Sequence, residues 1–539
     1  MNKSYSGRIL NIVLVLAFLC LGISLLSCSN DTGGRQLVFG LESPPERLVP
    51  IKIRSPQTFP VSMQIFEGLF DVDGDGKVIP RIIESWETKD YQTWIFHVRK
   101  GVYFHRSPLF VNNTREVTAA DVAYSLTRFC AADSYSSFLL MDYLKGARDY
   151  NQGKVDSVEG LKIIDPHTLR VELEKPVPFF INNISTPVLS VFPKEAEKKE
   201  YAEKVGLSMA VGTGPYVFSS MTETEVVLEK NDEYWDKQNK PELDRIIFRV
   251  IQNDQTRLTS LERGHIDLMV IPTALFNAVF NKDGTLSEQY KDTFTIIPIS
   301  TFNSHFIGIN NNVIADANLR RAMFYGTNRN EMVNSILYGH AHVTGGTVPP
   351  GINGYQSPFP KDPFDAEKAR DYLKKSSYKE EPIELIVHGL ANSEQIGQIF
   401  QAQMAKIGIK IILKKQDFGS AIGRIIKGDC QLFSMFVEYA WSSPEPILIN
   451  VFSSSKIPVP NVFKFSNPSV DEMLKRLFTI KNRNESLDYA QEIETRVMED
   501  APGIFLYRQD NIVIHSKGFT GLEVSGNNHY FLEKVRLKK

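Results

Sequence analysis

The chain has 539 residues, with 61 Lys and Arg against 63 Asp and Glu, a formal net charge of −2, and 42% hydrophobic and 11% aromatic residues. This is the make-up of a folded protein too long for a single core. It excludes a disordered chain and a strongly basic nucleic-acid binder, so no nucleic-acid partner is expected.

The N-terminus carries Lys3 and Arg8, then an almost wholly apolar run from Ile9 to Leu26, then Ser27 and Cys28. A cysteine after Leu-x-Ser at the exit of such a run reads as a bacterial lipoprotein signal, cut before Cys28, which then carries the lipid. An uncleaved anchor is the alternative, since about 18 apolar residues just reach across a bilayer. Small Ser27 before Cys28 favours processing. Either way the rest is exported to the periplasm or cell envelope and held at a membrane. Ser29 is not the aspartate that retains many lipoproteins at an inner membrane, so inner and outer membranes both stay open. Residues 28–36 make a polar, Gly-containing tether.

Leu37-Val38-Phe39 opens the folded part as a strand, and Trp94 to Arg99, closed by Lys100-Gly101, is another. Thr118 is placed to cap a helix that carries Val122, Ser125, Leu126 and Phe129 on one face. Leu161 to Leu173 reads as strand, turn and strand around Asp165-Pro166-His167. Asp365 precedes a helix bearing Ala366, Ala369 and Leu373. Ile383, Leu385 and Val387 alternate as a strand. Ile396, Ile399, Phe400, Met404 and Ile407 then follow helical spacing up to Gly408, and Ile409, Ile411 and Leu413 resume a strand, which makes a βαβ unit. Leu487, Ala490, Ile493 and Val497 mark a late helix. The fold class is α/β, or mixed α+β, with more than one lobe.

Few motifs carry chemistry. Asp71-Val72-Asp73-Gly74-Asp75-Gly76 imitates the start of a calcium loop, but the position of the closing acid is Ile82; a Gly-rich turn explains the run as well. His340-Ala341-His342 has no third metal ligand nearby. Gly212-Thr213-Gly214-Pro215-Tyr216 lacks the Lys-Ser/Thr of a phosphate loop. Neither a Gly-x-Ser-x-Gly elbow nor a His-Glu-x-x-His pair occurs. No metal and no cofactor are expected. Cys130 and Cys430 are either one disulfide or two buried thiols.

In order and spacing, several segments resemble the bacterial extracellular solute-binding proteins of family 5, the oligopeptide- and dipeptide-binding components of ABC transporters. They are Glu67-Gly68-Leu69, Glu84-Ser85-Trp86, Arg99 to His105, Val117 to Ser125, Val211 to Tyr216, Asn231 to Trp235, Gly264 to Asp267 and Leu319 to Met323. The resemblance implies a two-lobe periplasmic binding protein fold of type II with an extra inserted domain and a hinge between lobes. On that pattern residues 37–62, 194–305 and 503–539 form lobe I, 63–193 a small domain packed on it, and 306–502 lobe II. It further implies a monomer that catalyses no reaction, binds a peptide between closing lobes and delivers it to ABC permease subunits.

Relatives hold a peptide's amino group with a carboxylate just before an acidic-Pro pair. Aligning Glu445-Pro446 with that pair puts Ser442 at the acid's place. Glu438 is then the nearby substitute, or the ligand presents no ordinary α-amine there. Gly308 stands where some relatives have an acid, whereas Asn310 matches. Tyr135, Phe138, Tyr439 and Trp441 are pocket candidates as rigid aromatics, or else core; Leu41 and Glu42, at the end of the first strand, complete the expected ligand-binding set. Besides oligopeptides, a γ-glutamyl tripeptide or a metal chelate is a live ligand. An exported lipoprotein hydrolase and a surface adhesin or sensor are the alternatives of other classes.

Overall fold

A computed structural model of the protein describes residues 34–538 apart from 74, 75, 350, 351, 353 and 360. The expected leader, Cys28 and the first part of the tether lie outside the described residues, as do Gly74 and Asp75 of the calcium-like run. Among the described residues no helix is long and apolar enough to cross a membrane.

Two large sheets organise the chain. The first has seven strands in the order Phe294–Ile299, Asn511–Ser516, Leu268–Val270, Gln36–Leu41, Arg245–Val250, Glu225–Lys230 and Tyr216–Met221. Its middle strand, Gln36–Leu41, runs parallel to both neighbours and is buried from Leu37 onward, as an interior strand covered on both faces must be. The second sheet has six strands in the order Ala341–Val343, Gly503–Gln509, Asn303–Ile309, Leu432–Glu438, Ile383–Val387 and Ile411–Lys415. A smaller four-stranded antiparallel sheet, Ile83–Thr88, Thr93–Val98, Thr168–Glu172 and Leu161–Asp165, lies in the segment inserted after the first strand.

Most local expectations hold. Thr118 caps Ala119–Phe129 in a reciprocal box with Asp121. Asp365 caps Ala366–Lys375 by accepting from the Glu367 and Lys368 amides. Ser393–Ile407 ends at Gly408, whose φ of 95° is left-handed. The following strand starts later than its alternation suggests, at Ile411, because the Ile409 amide is still bonded to the Met404 carbonyl at 3.0 Å. The strands Ile383–Val387 and Ile411–Lys415 pair in parallel. Cys130 and Cys430 are both free and buried, and burial pushes the thiols up to about 12 and about 11.

Several of the segments that carry the resemblance converge on one buried carboxylate. Glu67 accepts from Thr213 Oγ1, Tyr234 OH and Trp235 Nε1, each at 2.8 Å. The Gly214 carbonyl accepts from Asn231 Nδ2 and meets His105 Nε2, both at 2.9 Å. A Cβ on Gly212 or Gly214 would lie 2.1 Å from the Ile65 carbonyl oxygen or 2.3 Å from that of Gln64. These residues hold the small domain to the first sheet.

The chain passes between the two large sheets at 300–302 and again at Asp510. The boundaries expected at 305/306 and at 503 therefore shift, because Asn303–Ile309 and Gly503–Gln509 pair with each other in the second sheet. The two crossings are bonded together. Ser300 Oγ donates to Asp510 Oδ1 at 3.0 Å, and Arg508 Nη2 donates to Ser300 Oγ at 2.9 Å. Asn303 Nδ2 donates to the Gln509 carbonyl at 2.7 Å, and the Gln509 amide returns a bond to Asn303 Oδ1 at 2.9 Å.

Candidate functional site

A cavity of about 290 Å³ lies between the two large sheets. The first lobe contributes Ile53, Arg54, Pro56, Phe59 and the turn Gly526 to Asn528; the small domain contributes Met63, Tyr135, Ser136, Phe138, Leu139, Thr186 and Val188; the second lobe contributes Glu438, Tyr439 and Ala440. Sites of this kind, apolar with a few polar groups and built from two bodies, are where small ligands bind.

Local structure explains how each wall forms. Phe59–Ile65 is a helix with Pro60 in its first turn, where a missing N–H costs nothing. Phe59 and Met63, four apart, share its cavity face. Gln64 Nε2 fastens the helix to the Tyr530 carbonyl at 2.9 Å. In the C-terminal turn, Asn528 has a φ of 59°, and a Cβ on Gly526 would lie 2.8 Å from the Phe302 ring. Glu438 ends the strand Leu432–Glu438 opposite Asn303, and the Tyr439 amide donates to the Phe302 carbonyl at 2.7 Å. The strand thus delivers Glu438 into the cavity beside the crossing.

Glu438 is open to the cavity but walled by protein elsewhere. That enclosure pushes its carboxyl above the ordinary range, and the neighbouring Thr301 hydroxyl offsets part of the rise. The rise is that of a group in a deep wet groove, since water reaches it. From the first lobe, Arg54 places its guanidinium 4.7 Å from the centre of the Tyr135 ring, a cation–π contact. Phe138 is 46% exposed and meets Trp441 edge-on at 5.7 Å.

Of the residues expected from sequence, Tyr135, Phe138, Glu438 and Tyr439 come together on the cavity wall. Trp441 is buried behind Phe138. Ser442 is fully buried, and its hydroxyl donates to the Asn182 carbonyl at 3.2 Å. Gly308 sits beneath Phe433, whose ring would be 2.1 Å from any added Cβ. Asn310 donates to the Gly428 and Cys430 carbonyls at 2.9 and 3.1 Å. Leu41 is packed in the first core, and Glu42 is exposed and bonded to Gln57. Sequence reasoning missed Arg54, Phe59, Met63 and the 526–528 turn. Only Gly526-Asn527-Asn528, a turn-forming run, offered a local signal.

The two histidines of His340-Ala341-His342 part company. His340 packs on Phe280 with ring centres 4.3 Å apart, and His342 Nε2 lies 3.1 Å from Asp510 Oδ2. Asp71 is engaged by His529 at 2.6 Å. Among the described residues no group of three or more His, Cys, Asp or Glu could hold a metal ion.

A second contact region joins the small domain to the second lobe. Lys456 Nζ pairs with Asp142 at 2.5 Å, Phe179 meets Phe478 at 5.4 Å, and Lys175 Nζ lies 3.5 Å from the centre of the Phe478 ring.

Comparison with known proteins places this architecture. The chain is similar to the glutathione-binding protein GsiB of Pectobacterium atrosepticum, 25% identical over 488 residues covering 88% of this chain and 89% of that protein. Its fold is similar to that of the murein tripeptide-binding protein MppA of Escherichia coli, with a TM-score of 0.74 at 20% identity over 94% and 99% of the two chains. It is also similar to the periplasmic binding protein DppA of Helicobacter pylori in complex with the peptide STSA, with a TM-score of 0.73 at 22% identity over 94% and 99%. Both are two-lobe periplasmic binding proteins, and that is the fold here. The model of the family 5 bacterial extracellular solute-binding proteins matches residues 77–458, so the chain belongs to the bacterial extracellular solute-binding proteins, family 5.

Proposed function

We propose that this protein is the substrate-binding component of an ABC importer, held at a membrane by lipid on Cys28, and that it encloses a short peptide between its lobes for delivery to a permease. It catalyses no reaction. The observation that carries this reading is the cavity itself: its walls come from both lobes, so a ligand touching Arg54 and Glu438 stabilises the closed arrangement over the open one. Glu438 receives the ligand's amino group, since a desolvated ammonium needs an opposite charge. Tyr135, Phe138 and Tyr439 supply rigid apolar contact area.

At about 290 Å³ the space is at the bottom of the range for small-molecule sites. That suits a di- or tripeptide better than a long oligopeptide. A γ-glutamyl tripeptide is the second reading, favoured by the glutathione-binding relative.

The test is to purify the body from Ser29 onward, denature it and identify released ligands by mass spectrometry. Short peptides are expected. A single non-peptide ligand, with no thermal shift from any peptide pool, overturns the reading. A γ-glutamyl tripeptide recovered alone selects the second.

A further inference from the structure

Behind the cavity, on the outer side of the same wall, lies a second space of about 650 Å³, lined by Arg47, Val49, Ile51, Lys52, Asp133 and Glu197 among others. Tyr135 lines both spaces, and among the described residues no other does. The chain on either side of the ring alternates between them: Ile51 and Lys52 face outward while Ile53 and Arg54 face inward, and Asp133 faces outward while Ser136 faces inward.

The backbone of this wall is fixed. The Tyr135 amide donates to the Ile51 carbonyl at 2.9 Å, and Lys52 Nζ lies 2.9 Å from the Asp133 carboxylate. The ring is not fixed in the same way. It is 47% exposed, and the cations at its sides, Arg54 at 4.7 Å and Lys52 at 5.7 Å from its centre, sit on long flexible stems. Cation–π contacts on both sides of the ring favour its position across the gap between the two spaces.

We infer that the Tyr135 side chain is a partition that sets ligand length, closing the inner cavity to peptides of two or three residues and separating it from an outer space that would otherwise extend the site. This rests on the proposed peptide-binding function. With the ring removed, an extended peptide, rising about 3.3 Å per residue, runs from the Glu438 end along the space the ring leaves between the Arg54 and Lys52 side chains into the outer groove.

The test offers the purified body one pool of tripeptides and one of hexapeptides, followed by mass spectrometry of what is retained, for wild type, Tyr135→Ala and Tyr135→Phe, with melting curves to confirm folding. Wild type should retain tripeptides and exclude hexapeptides, Tyr135→Phe, which keeps the ring, should still exclude hexapeptides, and Tyr135→Ala should gain at least tenfold in hexapeptide retention. The same length distribution in all three chains overturns the partition. A wild type that already retains hexapeptides also overturns it while leaving peptide binding intact. A folded wild type that retains no peptide of either pool overturns the peptide reading itself, and the partition with it.

Discussion

The Ser300 hydroxyl donates to Asp510 Oδ1 at 3.0 Å and so ties the two chain crossings between the lobes to one another. Both crossings must twist when the lobes move. Asp510 is 6% exposed, with Arg508 3.6 Å and His342 3.1 Å from its carboxylate. Replacing Asp510 by alanine removes the common acceptor of this cluster and should cost roughly 2–4 kcal/mol of stability, as breaking a buried charge pair does. Ser300→Ala, which removes one hydroxyl, should cost about 1 kcal/mol. Urea titration measures both. Small-angle scattering should show a broader spread of lobe separations in Asp510→Ala, and an unchanged profile would mean that the cluster does not restrain the hinge.

The titration of buried carboxyls gives stability a pH profile of definite sign. Burial raises the Asp510 carboxyl, but His342, Arg508 and Ser300 outweigh it and hold it below the ordinary range. Burial likewise raises Asp71, and His529 and Arg81 outweigh it. Carboxylates of this kind give stability that is complete above the unfolded value of about 3.9 and is lost as pH falls through the folded value. Glu67 and Glu494 go the other way: burial outweighs the neighbours that favour ionisation, and both are raised. The folded chain takes up those two protons before the unfolded one does, so these two groups add stability as pH falls from neutral toward about 4. Burial also holds the His105 and His305 imidazoles down to about 4 and about 3 and keeps His340, His388 and His515 below their ordinary value. The unfolded chain therefore takes up those protons first below about pH 6.5, which outweighs the two glutamates. The melting temperature should fall from neutral toward mildly acidic pH, and steeply below about 4. Glu494→Gln removes one of the opposing gains and should steepen the fall between neutral pH and about 4; an unaltered profile would take Glu494 out of this account.

What the sequence reveals divides by physical cause. Segments such as Glu67-Gly68-Leu69, Gly212-Thr213-Gly214 and Asn231 to Trp235 are legible because each answers a local demand: a buried carboxylate needs donors, and glycines fit where backbone passes against backbone. The βαβ unit around Ser393–Ile407 is legible from periodicity. The cavity is not, because its walls are brought together from residues as far apart as Ile53 and Asn528 with no shared pattern. The stretch 439–441 shows the limit: sequence reads Tyr439 and Trp441 as candidates, and the strand end turns Tyr439 and Ala440 to the cavity while Trp441 packs behind Phe138.

The contact between the small domain and the second lobe predicts a coupling between distant residues and ligand affinity. The Lys456–Asp142 pair, at 2.5 Å, joins bodies that also border the cavity. If closure brings this pair together, Lys456→Ala should weaken ligand binding by about fivefold, the equivalent of about 1 kcal/mol. Reversing both charges together should restore most of it, which isolates the pairwise part. Calorimetry with whichever peptide the released-ligand experiment identifies is the measurement, and no change in either chain would mean that closure does not depend on this contact.

Among the described residues Glu438 is the one acid on the cavity wall. Glu438→Gln keeps the shape and removes the charge, so peptide affinity should fall roughly 10- to 100-fold, while stability changes little because water reaches the group. N-acetylated peptides, which lack the amine charge, should bind wild type and variant alike. Equal affinity of the two chains for free-amine peptides would remove Glu438 from its role as amine anchor.

Restoring an acid at Ser442 should not restore an amine site. The Ser442 hydroxyl is fully buried and donates to the Asn182 carbonyl at 3.2 Å, so it acts as a donor between the second lobe and the small domain. An aspartate there presents a carboxylate to a carbonyl oxygen in a sealed space. It must either stay protonated or repel its partner, and both outcomes oppose closure. Ser442→Asp is therefore expected to destabilise the protein by about 3 kcal/mol or more and to weaken peptide binding as well. Ser442→Ala, which loses only one hydrogen bond, should cost about 1 kcal/mol. Melting curves and peptide titrations on the two variants separate the cases: tighter peptide binding by Ser442→Asp at unchanged stability would mean that the side chain at 442 reaches the ligand rather than Asn182.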